Sequence, residues 1–509
     1  MTEQLSPAGV ARTAGPAAGR RATVLARPTV LARAAVVATL ESRAAATGTA
    51  LRRLPAGTTG VEVRADLTGD LDLRELRRHV SGQLVYSLRS QRYGGRSADP
   101  PPSRQARLLA AANGYDIVDL EADHDLVPDV LAGIPADRRR ISWSGGETDL
   151  SGLRRQFDRM VRTPAALYLL APRAGSLPAA LAPLRLLASL GRADVTAFGT
   201  GPAAAFSRVL APWLGAPVVY GSPAGPTVEQ LVTDYPLPRL PRLESLYGIV
   251  GRSLQTSLFT RLVNAGFREL SLPSLFLPFL APDLVDFQTR FWPAIAAGSL
   301  DELGLPLRAL TVAAPYKPAA FATAGLADPP ARAAQAANLL LRDGTQERRW
   351  RAGTTDGSAM LAALRDTGPV AGVSAAVIGC GAAGRAAAYA LSGAGARVTL
   401  VNRDASRGRS AAARLGLPFV PLAAFHPGRY AVLVHATPVD DRPPFDLDDT
   451  ATAATVADFV CAAEPTALVA AARERGLTTV DGQDVVTHEV AQQFQLMTGL
   501  PIPTSVHDR

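Results

Sequence analysis

Residues 375–403 read AAVIGCGAAGRAAAYALSGAGARVTLVNR and carry the clearest structural signal in the chain. An apolar run leads into Gly379, Gly381 and Gly384 in the spacing Gly-x-Gly-x-x-Gly, and an alanine-rich stretch and a second β-rich run follow. This order predicts a strand, a loop, a helix and a parallel strand. Glycines in such a loop permit a tight turn and let a pyrophosphate approach the first turn of the helix. The stretch therefore predicts a Rossmann domain that binds a dinucleotide; the alternative is a Rossmann fold kept without a cofactor.

The end of the second β-rich run indicates which dinucleotide is bound. An NAD site usually has an acidic residue there for the ribose 2′-hydroxyl, whereas this chain has Asn402 and Arg403, with Arg407 and Arg409 close behind. An amide and guanidinium groups suit a 2′-phosphate, although the charge of Asp404 would oppose it. NADP is therefore the predicted cofactor.

Composition narrows the class of protein. A length of 509 residues with 47% hydrophobic content predicts two to four domains with large cores. The net charge of +8 comes from dispersed arginines, so no nucleic-acid partner is predicted, and no apolar run reaches the ~18 residues of a membrane span. Two cysteines, Cys380 and Cys461, suit a reducing cytoplasm, and no metal site is predicted. Residues 1–27 have no hydrophobic periodicity and are predicted to be a disordered leader.

The segment 28–238 alternates short β-rich runs with helical stretches, which predicts a (β/α)₈ TIM barrel. Its predicted strands are 35–40, 61–64, 84–89, 116–121, 140–143, 166–170, 194–198 and 217–220. Polar residues, among them Glu62, Arg64 and Arg89, lie at the carboxyl ends of strands, where barrel enzymes carry their sites.

Short motifs give this segment a family resemblance. Glu62-Val63-Arg64-Ala65-Asp66, Leu88-Arg89 followed by Gly94-Gly95, Asp119-Leu120-Glu121 and Ser207-Arg208 resemble type I 3-dehydroquinate dehydratase. That family is a (β/α)₈ barrel that uses a lysine Schiff base and a histidine acid/base. The resemblance implies that Glu62, Arg64, Arg89 and Arg208 form an anion-binding set. The alternative is an ion-pair network in which the arginines pair with Glu62 and Glu121.

The catalytic positions of that family have changed in this chain. Its motifs assign the Schiff-base lysine to Ala165 and the histidine to Ser144. The only lysine in the sequence is Lys317, which lies beyond the barrel segment. Because an imine needs a primary amine, the barrel is predicted to have lost dehydratase activity.

The rest of the chain resembles shikimate dehydrogenase. Residues 236–242, PLPRLPR, predict a linker, and Pro315-Tyr316-Lys317, Asn338 and Thr354-Thr355-Asp356 follow it. The resemblance implies catalytic roles for Lys317 and Asp356 and substrate binding by Asn338. The alternatives are a solvated lysine, an aspartate that caps the next helix, and an asparagine that satisfies backbone groups.

The same resemblance implies a division into domains and a cofactor site. It assigns 243–355 plus 486–509 to a substrate domain and 357–485 to the Rossmann NADP-binding domain. The predicted cofactor-binding residues are Gly379, Gly381, Ala382, Ala383, Gly384, Asn402, Arg403, Arg407, Thr437 and Gly482. The two resemblances follow each other in the order of the fused dehydroquinate dehydratase–shikimate dehydrogenases of aromatic amino acid biosynthesis.

The implied substrate pocket departs from the family. Ser257 remains, but Phe259 replaces a second serine, Ala313 a threonine and Glu489 a glutamine. Each lost charged hydrogen bond weakens carboxylate binding by about 1–3 kcal/mol, and a carboxylate at position 489 favours an amine over an acid. We predict an NADP-dependent oxidoreductase of shikimate-dehydrogenase type, acting on a small cyclic hydroxy or keto acid and joined to an inactive barrel. The alternatives are a non-catalytic metabolite-binding pseudoenzyme and a working bifunctional enzyme.

Overall fold

The computed structural model describes residues 33–253, 258–343 and 349–506. They form one eight-stranded sheet followed by two six-stranded sheets. None of the helices in these ranges combines the length and the apolar character that a membrane crossing needs. The predicted leader, residues 1–27, lies outside the described residues.

The first sheet is the predicted parallel barrel. Its strands are β1 Ala35–Leu40, β2 Gly60–Arg64, β3 Gln83–Ser87, β4 Ile117–Glu121, β5 Arg139–Trp143, β6 Leu167–Leu170, β7 Val195–Ala197 and β8 Val218–Gly221. Its helices are α1 Gly48–Arg52, α2 Ala65–Thr68, α3 Leu73–His79, α4 Pro101–Ala111, α5 Pro128–Gly133, α6 Leu150–Met160, α7 Leu177–Leu190, α8 Ala205–Leu210 and α9 Val228–Thr233. The strand order runs from β7 down to β1 and then to β8. At the remaining seam Thr196 Oγ1 donates to the Val218 carbonyl at 3.3 Å, so the barrel is nearly closed.

The position that the motifs assign to the Schiff-base lysine lies outside the sixth strand. Ala165 precedes β6 and so lies at the amino-terminal end of the barrel, away from the rim that carries catalytic residues. The outward side chain of β6 is Tyr168, because its ring packs on Phe157 of α6. Since side chains alternate along a strand, Leu167 and Leu169 point into the barrel.

The second sheet follows the predicted linker. Its strands are β9 Ser245–Gly251, β10 Ser274–Leu280, β11 Leu307–Val312, β12 Leu326–Ala327, β13 Leu339–Arg342 and β14 Trp350–Gly353, in the order β10-β9-β11-β13-β14-β12. Its helices are α10 Leu258–Glu269, α11 Leu284–Asp286, α12 Trp292–Ala296, α13 Lys317–Thr323 and α14 Pro329–Ala334, with a π-helical turn at Phe287–Phe291. The strands β10, β9 and β11 are parallel, whereas β13 runs antiparallel to both of its neighbours.

The third sheet is the predicted Rossmann fold. Its strands are β15 Ser374–Ile378, β16 Arg397–Asn402, β17 Phe419–Pro421, β18 Val432–His435, β19 Thr455–Asp458 and β20 Thr478–Val480. Its helices are α15 Asp356–Thr367, α16 Ala382–Gly393, α17 Ala405–Leu415, α18 Ala467–Glu474 and α19 Gly482–Thr498. All neighbours in the order β17-β16-β15-β18-β19-β20 are parallel, which is the doubly wound arrangement.

Helix α19 returns from the third sheet to the second. Near its end Phe494 packs against Phe267 of α10, with ring centroids 5.4 Å apart, and Tyr247 of β9 donates to the Met497 carbonyl at 3.1 Å. The helix therefore brings side chains from the end of the chain to the carboxyl end of β11. The exact limits of the domains stay a prediction.

Candidate active site

Lys317 begins α13, directly after the turn that follows β11. Tyr316 is fully buried and fixes this turn, because its hydroxyl donates to the Ala281 carbonyl at 2.6 Å and its ring stacks on Phe287 at 5.0 Å. A buried aromatic anchor beside Lys317 limits where the lysine can point. The side chain is 15% exposed, so it is not a freely solvated surface lysine.

Asp356 holds the ammonium of Lys317 with both of its oxygens. The distances from Lys317 Nζ to Asp356 Oδ1 and Oδ2 are 2.7 and 2.8 Å. Burial opposes the charge on Lys317, but the carboxylates of Asp356 and Glu489 outweigh it and raise the lysine pKa. Asp356 is the first residue of α15 and Thr355 is the N-cap, so the capping role does not apply to the aspartate. The pair can hold a charged donor ready for an oxygen that gains negative charge.

A buried amide positions this carboxylate. Asn338 Nδ2 donates to Asp356 Oδ1 at 3.1 Å, to Thr355 Oγ1 at 2.9 Å and to Glu489 Oε1 at 2.8 Å. The backbone N–H of Thr355 donates to Asn338 Oδ1 at 2.8 Å, which orients the amide group. Gln493 of α19 donates to Thr355 Oγ1 and Glu489 Oε1 at 3.0 and 3.1 Å. Asn338 thus connects two acidic side chains around one lysine.

Glu489 reaches this cluster from α19. Burial is the main cause that raises its pKa to about 7, and repulsion by Asp356 adds to it. The charge of Lys317 and the hydrogen bond from Asn338 act in the opposite direction. Near neutral pH the side chain therefore changes between a hydrogen-bond donor and an anion.

The remaining positions of the predicted substrate pocket, Phe259, Ala313 and Ser257, have different surroundings. Phe259 is buried in an aromatic core and stacks on Phe276, with centroids 6.1 Å apart. Ala313 follows β11, and its N–H donates to the Val250 carbonyl at 2.9 Å. Ser257 lies outside the described residues.

The glycine loop has the space and the close contacts that a dinucleotide site needs. A Cβ on Gly384 would lie 1.9 Å from the Gly379 carbonyl, and one on Gly379 would lie 2.7 Å from the Ala436 carbonyl. Gly379 also has a φ of 111°. By contrast, a Cβ on Gly381 would meet nothing within 4 Å, so the loop is open where α16 begins with Ala382 and Ala383. The glycine loop therefore leaves room for a pyrophosphate against the N-terminus of α16.

The end of β16 leaves two arginines available for a phosphate. Asn402 accepts from the Cys380 N–H at 3.2 Å and donates to the Asp404 carbonyl at 2.8 Å, so it braces the loop. The Asp404 carboxylate accepts from the N–H groups of Ser406 and Arg407 at 2.9 and 3.1 Å. It therefore caps α17, while Arg403 and Arg407 are exposed.

A fully buried histidine supports the loop after β18, and the sequence analysis missed it. His435 Nδ1 lies 3.0 Å from Asp458 Oδ1, and His435 Nε2 lies 2.5 Å from Thr437 Oγ1. Thr466 Oγ1 donates to Asp458 Oδ2 at 2.7 Å. Because a Cβ on Gly379 would lie 2.8 Å from Thr437 Cγ2, this chain of contacts sets Thr437 against the glycine loop.

Two contacts join α16, the helix that follows the glycine loop, to elements near the lysine cluster. A Cβ on Gly357, beside Asp356, would lie 2.1 Å from the Ala386 carbonyl of α16. Arg385 donates to the carbonyls of Ala334 and Cys380 at 2.7 and 2.8 Å. Separately, a Cβ on Gly482 would lie 2.2 Å from the Val460 carbonyl, so α19 begins close against the loop that follows β19. The first two contacts place the helix that follows the glycine loop directly beside the start of α15, where Asp356 holds Lys317.

The interior of the barrel contains a buried ion-pair network. Arg140 is fully buried, hydrogen-bonds Glu62 and donates to Asp119 Oδ1 at 2.7 Å, and its guanidinium carbon lies 5.1 Å from the centre of the Tyr220 ring. Burial opposes ionisation of Glu62, but the charge of Arg140, with Arg89 and Arg64, lowers its pKa to about 2. Glu62 is therefore paired by Arg140, which the motif analysis did not name.

The three arginines named from the motifs have different partners. Arg64 forms a bidentate pair with Asp66, at 2.8 and 2.7 Å. In the described ranges no carboxylate pairs with Arg89 or Arg208, and Arg208 donates to Ser222 Oγ at 3.0 Å. Burial lowers the pKa of Arg208 to about 10, and the charge of Arg89 adds to the effect.

Glu121 belongs to a separate buried cluster at the end of β4. Arg104 NH2 lies 3.3 Å from its carboxylate, and His124 Nε2 lies 2.5 Å from it. Under the alternative interpretation the named arginines would pair with Glu62 and Glu121, but the arginines that pair with these two carboxylates are Arg140 and Arg104.

Comparison with known proteins finds similar proteins for both halves of the chain. Residues 35–232 match the family model for Type I 3-dehydroquinase. The chloroplastic bifunctional 3-dehydroquinate dehydratase/shikimate dehydrogenase of Arabidopsis thaliana is 25% identical over 490 residues, which cover 88% of this chain and 79% of the plant protein. The shikimate dehydrogenase (NADP(+)) of Acidiphilium cryptum is 34% identical over 264 residues, covering 50% of this chain and 91% of that protein. The solved structure of dehydroquinate dehydratase and shikimate dehydrogenase from S. pombe AroM is 19% identical, with a TM-score of 0.42, and covers 94% of this chain and 98% of its own.

Proposed function

Because this chain belongs to the shikimate dehydrogenase family, we propose that it oxidises a ring-borne secondary alcohol, or reduces the matching ketone, with NADP. The observation that carries the proposal is the Lys317–Asp356 pair, held at 2.7 and 2.8 Å beside the helix that starts at the glycine loop. The substrate class is a small cyclic hydroxy or keto compound of the shikimate type.

The proposed cofactor contacts follow from the open loop and the exposed arginines. Gly379, Gly381 and Gly384, with the start of α16 at Ala382 and Ala383, hold the pyrophosphate. Arg403 and Arg407 hold the 2′-phosphate, with Asn402 bracing the strand end. Thr437 and Gly482 line the nicotinamide side. NADP, when bound, supplies the hydride acceptor or donor.

Lys317 handles the proton in this proposal. In the reduction direction its ammonium donates a proton to the ketone oxygen, where negative charge grows as hydride adds to the carbonyl carbon, and in oxidation the same nitrogen accepts the hydroxyl proton. Asp356 keeps the ammonium charged and aimed, and Asn338 holds Asp356 in place. Both acidic side chains raise the lysine pKa, so the donor stays protonated at neutral pH.

We propose that the barrel does not catalyse dehydration through an imine. Residues 28–238 contain no lysine, and the interior positions of β6 are Leu167 and Leu169. Arg140 pairs with Glu62 and Asp119 across the interior, and a buried network of this kind stabilises one arrangement of the strands. The barrel then has a structural role or binds an anion without changing it.

The test uses the full chain with NADP and shikimate, and in the reverse direction with NADPH and 3-dehydroshikimate. Turnover is measured by the absorbance of NADPH, and Lys317→Ala is the matched variant that the proposal expects to be inactive. Turnover that disappears in Lys317→Ala supports the proposal. Failure to bind NADP, or turnover that survives the substitution, contradicts it.

A further inference from the structure

The lysine cluster carries more negative charge than a Lys–Asp pair requires. Asn338 Nδ2 contacts both Asp356 Oδ1 and Glu489 Oε1, so the two carboxylates lie close together. Within 33–253, 258–343 and 349–506 no arginine pairs with either of them. When both are ionised, one ammonium therefore faces two carboxylates, and the cluster has a net charge of minus one.

Among the described residues, hydrogen bonds hold Glu489 through one of its two oxygens. Its Oε1 accepts from Asn338 and Gln493 at 2.8 and 3.1 Å, and Gln493 is itself held by Thr311, whose hydroxyl donates to Gln493 Oε1 at 2.6 Å. No hydrogen bond to Glu489 Oε2 comes from the part of the chain that the structure describes, and the side chain is partly exposed. The glutamate is thus fixed in orientation, while its second oxygen accepts no hydrogen bond from the described residues.

A ligand that meets Glu489 Oε2 must suit a partly desolvated carboxylate. A carboxylate on the ligand would be repelled, and Lys317, already paired with Asp356, offers it little compensation. An ammonium group, by contrast, would neutralise the excess charge and form a charge-assisted hydrogen bond. We propose that the substrate is a ring-borne amino alcohol, with its ammonium on Glu489 and its reacting hydroxyl on Lys317. The oxidation step rests on the function proposed above, whereas ammonium binding does not.

The groups around Glu489 predict how this binding depends on pH. Those facing it are Lys317 at the start of α13, Asp356 at the start of α15, Asn338 before β13 and Cys461 after β19. Burial, with the charge of Asp356, raises the pKa of Glu489 to about 7. Only the ionised form binds an ammonium, so affinity for an amine rises as the pH increases through this value.

The experiment measures binding to the full chain saturated with NADP by isothermal titration calorimetry. The probes are 1-amino-1-deoxy-scyllo-inositol and scyllo-inositol, which differ in a single substituent. At about pH 8 we expect the amine to bind at least about tenfold more tightly. Its affinity should fall about tenfold between about pH 8 and about pH 6, as the ionised fraction falls. Glu489→Gln should remove both the preference for the amine and its dependence on pH.

Asp366→Asn is the matched control. It removes an exposed carboxylate of α15 that lies outside the cluster and pairs with His488, the neighbour of Glu489 on α19. It should bind both probes like the wild type. Equal affinity for amine and inositol, no measurable binding of the amine, or a preference that survives Glu489→Gln overturns the proposal.

NADPH formation separates this proposal from the function on which its oxidation step rests. Glu489-dependent amine binding without turnover of the amine or of shikimate supports the ammonium site and contradicts the dehydrogenase function. Turnover of shikimate with no preference for the amine supports the dehydrogenase function and contradicts the ammonium site.

Discussion

Lys317 and Asp356 form a bidentate pair, with both carboxylate oxygens within 2.8 Å of the ammonium nitrogen, although 39 residues separate them in sequence. The lysine follows a strand of the second sheet, and the aspartate begins the helix that leads into the third. The pair therefore lies where the two sheets meet, beside the glycine loop. The geometry of the proposed proton donor therefore depends on how these two sheets are joined.

Lys317→Ala should lower kcat by roughly 10²–10⁴-fold, because it removes the proton donor and leaves the cofactor contacts intact. NADP affinity, measured by calorimetry, should stay within about twofold. A variant with near-normal kcat would show that another group handles the proton.

Arg403→Ala and Arg407→Ala should each weaken NADP binding while leaving NAD binding unchanged. A charged hydrogen bond contributes about 1.5–3 kcal/mol, so the expected loss is roughly 10- to 100-fold for each. Arg409→Ala is the control, because this exposed arginine lies two residues further along α17 and points to another side of the helix. Tighter binding of NAD than of NADP by the wild type would contradict the cofactor assignment.

Glu489→Gln should increase kcat/KM for shikimate, because it removes a negative charge from the cluster and keeps the shape of the side chain. The gain should be largest above the pKa of about 7, where the wild-type side chain is ionised, and should disappear well below it. Phe259→Ser is not added to this variant, because Phe259 stacks on Phe276 and its truncation costs about 3–5 kcal/mol of stability. That loss of stability would lower activity independently of the charge at position 489. A gain that does not depend on pH would show that the charge of Glu489 is not the cause.

Incubation of the full chain with dehydroquinate and borohydride should give no covalent adduct in barrel peptides. The Lys317→Ala chain is the control, because it contains no lysine at all. Mass spectrometry detects the adduct, and the ultraviolet absorbance of 3-dehydroshikimate detects dehydration. A barrel adduct, or dehydration well above background, would mean that the barrel has retained or replaced its lyase chemistry.

Arg140→Met should destabilise the barrel by about 3–5 kcal/mol, because it leaves Glu62 and Asp119 buried without their cation. Hydrogen exchange of β2 and β4 peptides reports the change locally. Combining it with Glu62→Gln and Asp119→Asn should recover part of the loss. Arg154→Met, which removes an exposed pair with Asp158, should change stability by less than about 1 kcal/mol.

The Arg140–Glu62 pair also predicts how the stability of the barrel changes at acid pH. The folded-state pKa of Glu62 is lowered from 4.5 to about 2, so its contribution to stability is present above pH 4.5 and is lost as the pH falls towards 2. In Arg140→Met this loss should be smaller or reversed. An unchanged acid response would show that Glu62 is not paired as described.

The local patterns of the sequence determined the elements and their chemistry. The glycine spacing predicted the β15–α16 loop, since tight turns and close packing at Gly379 and Gly384 admit no side chain. The strands of the barrel were predicted to within a few residues, because alternating β-rich and helical runs are local properties. The single lysine in its motif also pointed to the reaction type.

Only the tertiary structure decided which charged groups meet. Arg140 pairs with Glu62 across 78 residues, Asn338 with Glu489 across 151, and His435 with Asp458 across 23. These pairings depend on strand register and on the return of α19 to the second sheet, which side-chain spacing in the sequence does not encode. Asp404 shows the same limit, because its sequence position suggests repulsion of a phosphate whereas its carboxylate caps α17. Local spacing specifies backbone conformation, but the partner of a buried charge is set by which elements the fold packs together.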